Sequence, residues 1–189
     1  MHKLVRSLAV LLLAGYAIAA DNASLRKAPE LAFSIPGQGE KHLSDYAGKV
    51  VALEFIFTTC PHCQAASKLM TKLQTEYGSR GLQVIDIAIN PNADLLVENF
   101  VKDFHVNFPV AWTTAQQMQS FMGFGDARYV VPQLVLIDRK GVIHYQTPAL
   151  NSDEWSKLMA EDAVRQHIEE LLGSNNSASA RKPGPSVAR

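Results

Sequence analysis

From residue 31 to residue 172 the spacing of apolar positions alternates between unbroken β-prone runs and helical intervals, which predicts strands alternating with helices. Residues 50–57 (VVALEFIF) are almost wholly apolar, as a strand covered on both faces must be, and make the best central-strand candidate. Residues 82–89 (LQVIDIAI) read as a second strand of that kind. After the first strand, Pro61 suits the opening turn of a helix. Ala66, Leu69, Met70, Leu73 and Tyr77 then share one helical line up to Gly78. After the second, residues 92–104 are expected as a helix with Leu96, Phe100 and Phe104 on one line. Residues 108–112 read as a short strand, 115–122 as a helix, 133–138 with 142–146 as a hairpin turning at Arg139-Lys140-Gly141, and 161–172 as a last helix. Ahead of them, residues 31–43 hold two short extended pieces around Pro36-Gly37 and Gly39, followed by a turn over 46–49. Strand, helix, strand, helix implies parallel pairing through right-handed crossovers, so the fold class is α/β.

The two ends depart from this pattern. Lys3 and Arg6 precede an apolar run and then small residues ending Ala17-Ile18-Ala19-Ala20, the order of a secretory signal. Residues 1–19 are therefore expected to be a signal peptide and the protein to be exported. An uncleaved membrane anchor is the competing reading, but the apolar residues 8–20 fall short of the roughly 20 that span a bilayer. Residues 173–189 (GSNNSASARKPGPSVAR) lack apolar periodicity and read as a disordered tail. One domain, 28–172, is left between them, as the prior for a chain of 189 residues suggests.

Composition narrows the function classes. With 47% hydrophobic residues the chain can bury a core. Lys plus Arg equal Asp plus Glu at 18 each, so no basic field holds a polyanion and nucleic acid is not an expected partner. Two cysteines, Cys60 and Cys63, cannot build a multi-bridge scaffold or a four-cysteine zinc site within one chain.

All cysteine chemistry must come from Cys60-Pro61-His62-Cys63, where the strand over 50–57 delivers the chain into a helix. Free N–H groups and the positive end of a helix dipole favour a thiolate, which makes Cys60 the natural nucleophile. Two intervening residues put Cys63 in the first turn, within reach of a disulfide, so it can resolve a mixed disulfide. His62 between them can favour the Cys60 thiolate and make the disulfide more oxidising. Three other readings compete. A structural disulfide usually closes a longer loop, because so small a loop removes little chain entropy. Half of a zinc or copper site would need His62 or another histidine, yet His42, His105 and His144 are scattered and no second pair has ligand spacing. A peroxidatic cysteine wants Pro and Thr seven and three positions earlier, where Leu53 and Phe57 stand.

Two stretches, Leu43-Ser44-Asp45-Tyr46-Ala47-Gly48-Lys49-Val50-Val51 and Phe55-Ile56-Phe57-Thr58-Thr59-Cys60-Pro61-His62-Cys63, resemble the thioredoxin-like proteins of the TlpA/ResA type, which are exported thiol-disulfide oxidoreductases. Val131-Pro132 and the following Gln133-Leu134-Val135-Leu136-Ile137-Asp138-Arg139-Lys140-Gly141 are similar to that family's cis-proline loop and following hairpin. The resemblance covers about residues 28–172. It implies a thioredoxin-like fold: a central mixed sheet, helices on both faces, and an extra strand-helix unit between the cysteine motif and the cis-proline. It also implies that Pro132 is cis and lies against the two sulfurs, while the backbone of Val131 pairs with an extended substrate segment. Glu54 stands six positions before Cys60, where thioredoxin has a buried carboxylate that passes protons to the second cysteine. Burial in so apolar a strand would raise its pKa, as a proton relay needs; the competing reading turns Glu54 to the sheet edge and solvent. Thr59 replaces the Trp usual before the first cysteine, and Val130 the Gly frequent before the cis-proline pair, so the substrate groove is expected to differ. Pro61-His62 and the Val before the proline look like DsbA, an oxidant, while the spacer looks like the reducing TlpA/ResA branch.

The expected function is thus exchange of disulfides with protein thiols or disulfides in the periplasm, by a soluble or N-terminally anchored monomer with a membrane redox partner. The direction of exchange is open. No small-molecule cofactor is needed, since both electrons reside on the sulfurs. The alternative is a non-enzymatic copper or zinc carrier that uses the two thiolates. Trp112 and Trp155 are assigned to packing.

Overall fold

In the structure, a computed structural model that describes residues 25–173, the apolar run over 50–57 lies in the middle of one mixed sheet. The expected signal peptide and residues 174–189 of the expected tail lie outside the described residues. The strands are β1 Arg26–Lys27, β2 Ala32–Ile35, β3 Gly39–His42, β4 Val50–Ile56, β5 Leu82–Ala88, β6 Val110–Trp112, β7 Gln133–Ile137 and β8 Val142–Gln146. Their order across the sheet is β1-β8-β7-β4-β5-β6-β2-β3. β4 pairs parallel with β5 and β5 with β6, the crossovers being made by helices, whereas β7 runs antiparallel to β4 and turns back into β8. Every residue of β4 is buried, as its lack of a polar face requires.

Alternation along β4 divides the core in two. Val50, Ala52 and Ile56 pack with Met70, Leu73 and Tyr77 of α1 (Pro61–Tyr77), with Val97 and Phe100 of α2 (Ala93–Phe104), and with Val164 and Ile168 of α5 (Glu161–Gly173). Val51, Leu53 and Phe55 pack on the other face with Met118 and Phe121 of α3 (Ala115–Met122) and with the hairpin residues Phe33 and Ile35. Helices therefore cover both faces. Each fully enclosed Val, Leu, Ile or Phe is worth about 1.5–3 kcal/mol of transfer free energy, so the β4 neighbourhood anchors the fold.

Four features differ from the sequence reading. The buried stripe of α1 is Cys63, Ser67, Met70, Leu73 and Tyr77, while Ala66 and Leu69 are half-buried. Ser67 turns inward because a polar partner waits on β5, something a count of apolar positions does not register. In α2 the buried residues are Ala93, Val97 and Phe100, with Leu96 and Phe104 on the flanks. A short helix, α4 (Asp153–Leu158), precedes α5; Ser152 caps it by accepting from Trp155 N–H at 3.1 Å. Among the described residues, regular structure also flanks the expected 28–172 span, since β1 at Arg26–Lys27 pairs with β8 and α5 runs through Gly173.

Candidate active site

The cysteine motif lies at the C-terminal end of β4, where the chain leaves the sheet. Cys60 is the N-cap residue of α1, in extended conformation, and its N–H donates to Phe57 O at 3.0 Å while its own carbonyl accepts from Gln64 N–H at 3.0 Å. Pro61 opens the helix where a missing N–H costs nothing. Both cysteines are free thiols, Cys60 partly exposed and Cys63 fully buried one turn into α1. Cys63 Sγ accepts from Phe57 N–H at 3.4 Å. Burial above all pushes the Cys63 thiol up; the Phe57 bond opposes this, and Cys60 and Glu54 add to it.

The other predicted site residues fall around this pair. Thr59 and His62 are exposed. Thr58 is fastened beneath them, its N–H donating to Asn90 Oδ1 at 2.9 Å. The Val131-Pro132 peptide bond is cis. Phe55 lies opposite Gln133 in the β4–β7 ladder, so Pro132, one residue earlier, comes to the sheet end where the cysteines sit. Val131 is half-buried, and its backbone makes no hydrogen bond among the described residues. A cavity of about 410 Å³ opens between α1 and the α4–α5 corner, walled by Glu54, His62, Pro132, Trp155 and Glu161 among others.

Glu54 does not reach a sheet edge. It is fully enclosed in β4, facing the α1 side between Ala52 and Ile56. Beside it in the parallel ladder stands Asp86 of β5, equally enclosed. Ser67 Oγ lies 2.5 Å from Asp86 Oδ2. Neither Glu54 oxygen, nor Asp86 Oδ1, has a partner among the described residues, so the bond open to the pair is one carboxyl's own O–H to the other. Burial and then the neighbouring Asp86 carry the Glu54 carboxyl well above its ordinary range. Burial also raises Asp86, to about 7, against the lowering effect of the Ser67 hydroxyl and of the Glu54 carboxyl beside it.

Asp86, Ser67, Gln133 and Trp155 were not anticipated as site residues. Gln133 Nε2 donates to Val130 O at 2.8 Å and its Oε1 accepts from Thr147 Oγ1 at 2.6 Å, which holds the loop ahead of Pro132. Trp155, assigned to packing, donates from Nε1 to Pro132 O at 3.3 Å. Asp86 carried the same signal as Glu54, an acid amid an apolar strand, and could have been found by aligning the two strands. Trp155 had no such signal, because α4 itself was not anticipated.

The Redoxin family model matches residues 24–163. The chain is 26% identical over 144 residues to the thiol-disulfide oxidoreductase ResA of Geobacillus thermodenitrificans, covering 76% of this chain and 75% of that one. It is 32% identical over 107 residues to the ResA of Bacillus thuringiensis, where it spans 56% of this chain and 59% of the relative. Among solved structures, a candidate DsbE thiol:disulfide interchange protein from Chlorobium tepidum superposes with a TM-score of 0.65 at 26% identity, over 79% of this chain and 97% of that one. A thioredoxin family protein from the same organism gives 0.64 at 22% identity over 80% and 99%, a likeness of fold alone. The family model runs from β1 into the start of α5, so the chain belongs to the Redoxin family, and its sheet and its ResA relatives make it a thioredoxin-like oxidoreductase of the ResA type.

Proposed function

We propose that this chain exchanges disulfides with protein clients outside the cytoplasm through Cys60-Pro61-His62-Cys63. The observation that carries the reading is the unequal exposure of the two sulfurs: Cys60 is open to a client at the mouth of α1 and Cys63 is enclosed behind it. Cys60 thiolate attacks a client disulfide, or the Cys60–Cys63 disulfide is attacked by a client thiolate. Either way the client is linked through Cys60, and Cys63 resolves the mixed disulfide. An extended client segment pairs with the unbonded backbone of Val131, beside Pro132 and Thr59, and Glu54 manages the proton of Cys63. His62, exposed between the cysteines, biases the couple towards its reduced form.

Export rests on Lys3, Arg6 and the apolar run after them. A membrane redox partner regenerates the pair, and no small-molecule cofactor takes part. The carrier alternative lacks a ligand set: no group of three His, Cys, Asp or Glu side chains able to hold a metal occurs among the described residues.

Trapping tests the proposal. Cys63→Ser should accumulate covalent client adducts that a reductant releases, and Cys60→Ser should form none and lose exchange activity. Exchange undiminished in Cys60→Ser would sink it. Equilibration against glutathione then fixes the direction, since about 30 mV corresponds to roughly 1.4 kcal/mol in this two-electron couple. A strongly oxidising value makes the protein a disulfide donor, and a strongly reducing one makes it a reductant.

A further inference from the structure

Two acids enclosed side by side repel unless something neutralises them, and here a proton is the neutralising group at hand. Glu54 and Asp86 occupy the same rung of the β4–β5 ladder. Leu134 flanks Glu54 on the β7 side and Val110 flanks Asp86 on the β6 side, so neither neighbouring strand brings a cation. The titratable groups facing the pair are Cys63 of α1, which has Cys60 at the helix N-cap beside it, and, across the cavity that Glu54 helps to wall, His62 of α1 and Glu161 of α5.

Ser67 reports on the protonation of this pair. Its Oγ lies 2.5 Å from Asp86 Oδ2 and 3.0 Å from Cys63 O, both within bonding distance of a hydroxyl that has a single hydrogen. The hydroxyl can donate to Asp86 when Asp86 is an anion. It can turn to Cys63 O when Asp86 is protonated and donates to Ser67 instead. Two hydrogen-bonded arrangements are therefore open to the pair, and they differ by one proton. In the first, Glu54 O–H donates to ionised Asp86; in the second, both carboxyls are protonated and the chain runs from Glu54 through Asp86 and Ser67 to the carbonyl of Cys63.

We propose that Glu54 and Asp86 act as one proton-holding pair for Cys63, carrying a single shared proton in the reduced protein and taking up a second when Cys63 attacks the mixed disulfide. This rests on the exchange reading above and adds to it Asp86 and Ser67, which touch neither client nor sulfur and act through Glu54 and the Cys63 turn as positioning residues. In the step, Cys63 Sγ–H gives its proton to the pair and the Cys63–Cys60 S–S bond forms. The bond from Cys60 to the client sulfur breaks, and its electron pair leaves on that sulfur, which takes a proton from water. The client is reduced and the cysteine pair oxidised. The second proton then leaves the pair for solvent through the cavity, and the opposite direction runs the same transfers backwards.

Infrared spectra of the reduced protein across pH, together with the resolving step followed with a small aromatic disulfide, test this. The coloured thiolate of the probe is released once on attack by Cys60 and once on resolution by Cys63. At neutral pH the wild-type protein should show a protonated-carboxyl band that Glu54→Gln weakens. In Asp86→Asn that band should titrate at least about one pH unit lower, and the pH profile of the second release should move with it, because the charge that raised Glu54 is gone. Asp86→Glu should restore both. A wild-type protein with no protonated-carboxyl band at neutral pH overturns the pair, and that result needs no variant to fold. So does an Asp86→Asn protein whose stability changes while the band and the profile stay in place, since Asp86 is then structural only. A wild-type protein that releases no thiolate refutes the exchange reading instead, and the infrared titration still decides whether the acids share a proton.

Discussion

A carboxyl enclosed in apolar surroundings binds its proton more tightly folded than unfolded, and the consequence for stability has a definite sign. Asp86, at about 7 in the folded protein, and Glu54, raised above its ordinary range, hold more protons in the native state than in the unfolded chain, where acids titrate near pH 4. Their contribution to stability is therefore fully present below that unfolded range and is lost as pH rises towards 7. The stability difference between Asp86→Asn and wild type should accordingly depend on pH: compared by urea midpoints, the variant should gain on wild type between about pH 4.5 and about pH 8. The same difference at both pH values would show that Asp86 is not buried as an ionisable group. At this scale the cysteines and Glu54 were legible in the chain, because a CxxC after a strand and an acid inside an apolar run are local anomalies. The Glu54–Asp86 contact was not, because it depends on the register of two strands far apart in sequence.

Elements carry their own local instructions where capping residues and turn residues agree with the apolar period. The bounds of α3 are the clearest case: Thr114 Oγ1 accepts from Gln117 N–H at 3.1 Å, Gln117 reaches back, and Gly123 in left-handed conformation closes the helix. Thr114→Ala should cost about 1 kcal/mol, and Thr114→Ser much less, measured by the denaturant midpoint. Loss of less than a few tenths of a kcal/mol in Thr114→Ala would mean that packing of Met118 and Phe121 alone sets the end of the helix. The orientation of α1 was not local in this sense. Its apolar residues suggested a face through Ala66 and Leu69, but the inward face is the one carrying Cys63 and Ser67. A hydroxyl can be buried without loss when an acid and a carbonyl stand ready for it, and neither belongs to the apolar pattern.

Across the whole molecule, one sheet separates two cores, and its central strand contributes alternate residues to each. A domain of this build should unfold in a single step, even though its two cores do not mix. Ile168→Val on the α5 side and Ile85→Val on the α3 side each remove one enclosed methylene, costing about 0.5–1.5 kcal/mol apiece. Their effects should add to within about 0.5 kcal/mol in the double variant, with one transition by every probe. Separate transitions would show that the faces are independently stable. The chain by itself determined the alternating α/β order, the parallel pairing of β4 with β5, the hairpin of β7 and β8, and the cysteine pair at the start of a helix. Periodicity, breakers and motif spacing are all written within short windows, so they survive without knowledge of the fold. Tertiary structure alone decided which polar side chains are enclosed together, that Trp155 reaches the carbonyl of Pro132, and that Ser67 joins Asp86 to the turn of Cys63. The reason is physical: solvation of a buried acid or hydroxyl depends on what lies opposite in space, and no residue encodes its opposite number in its own neighbourhood.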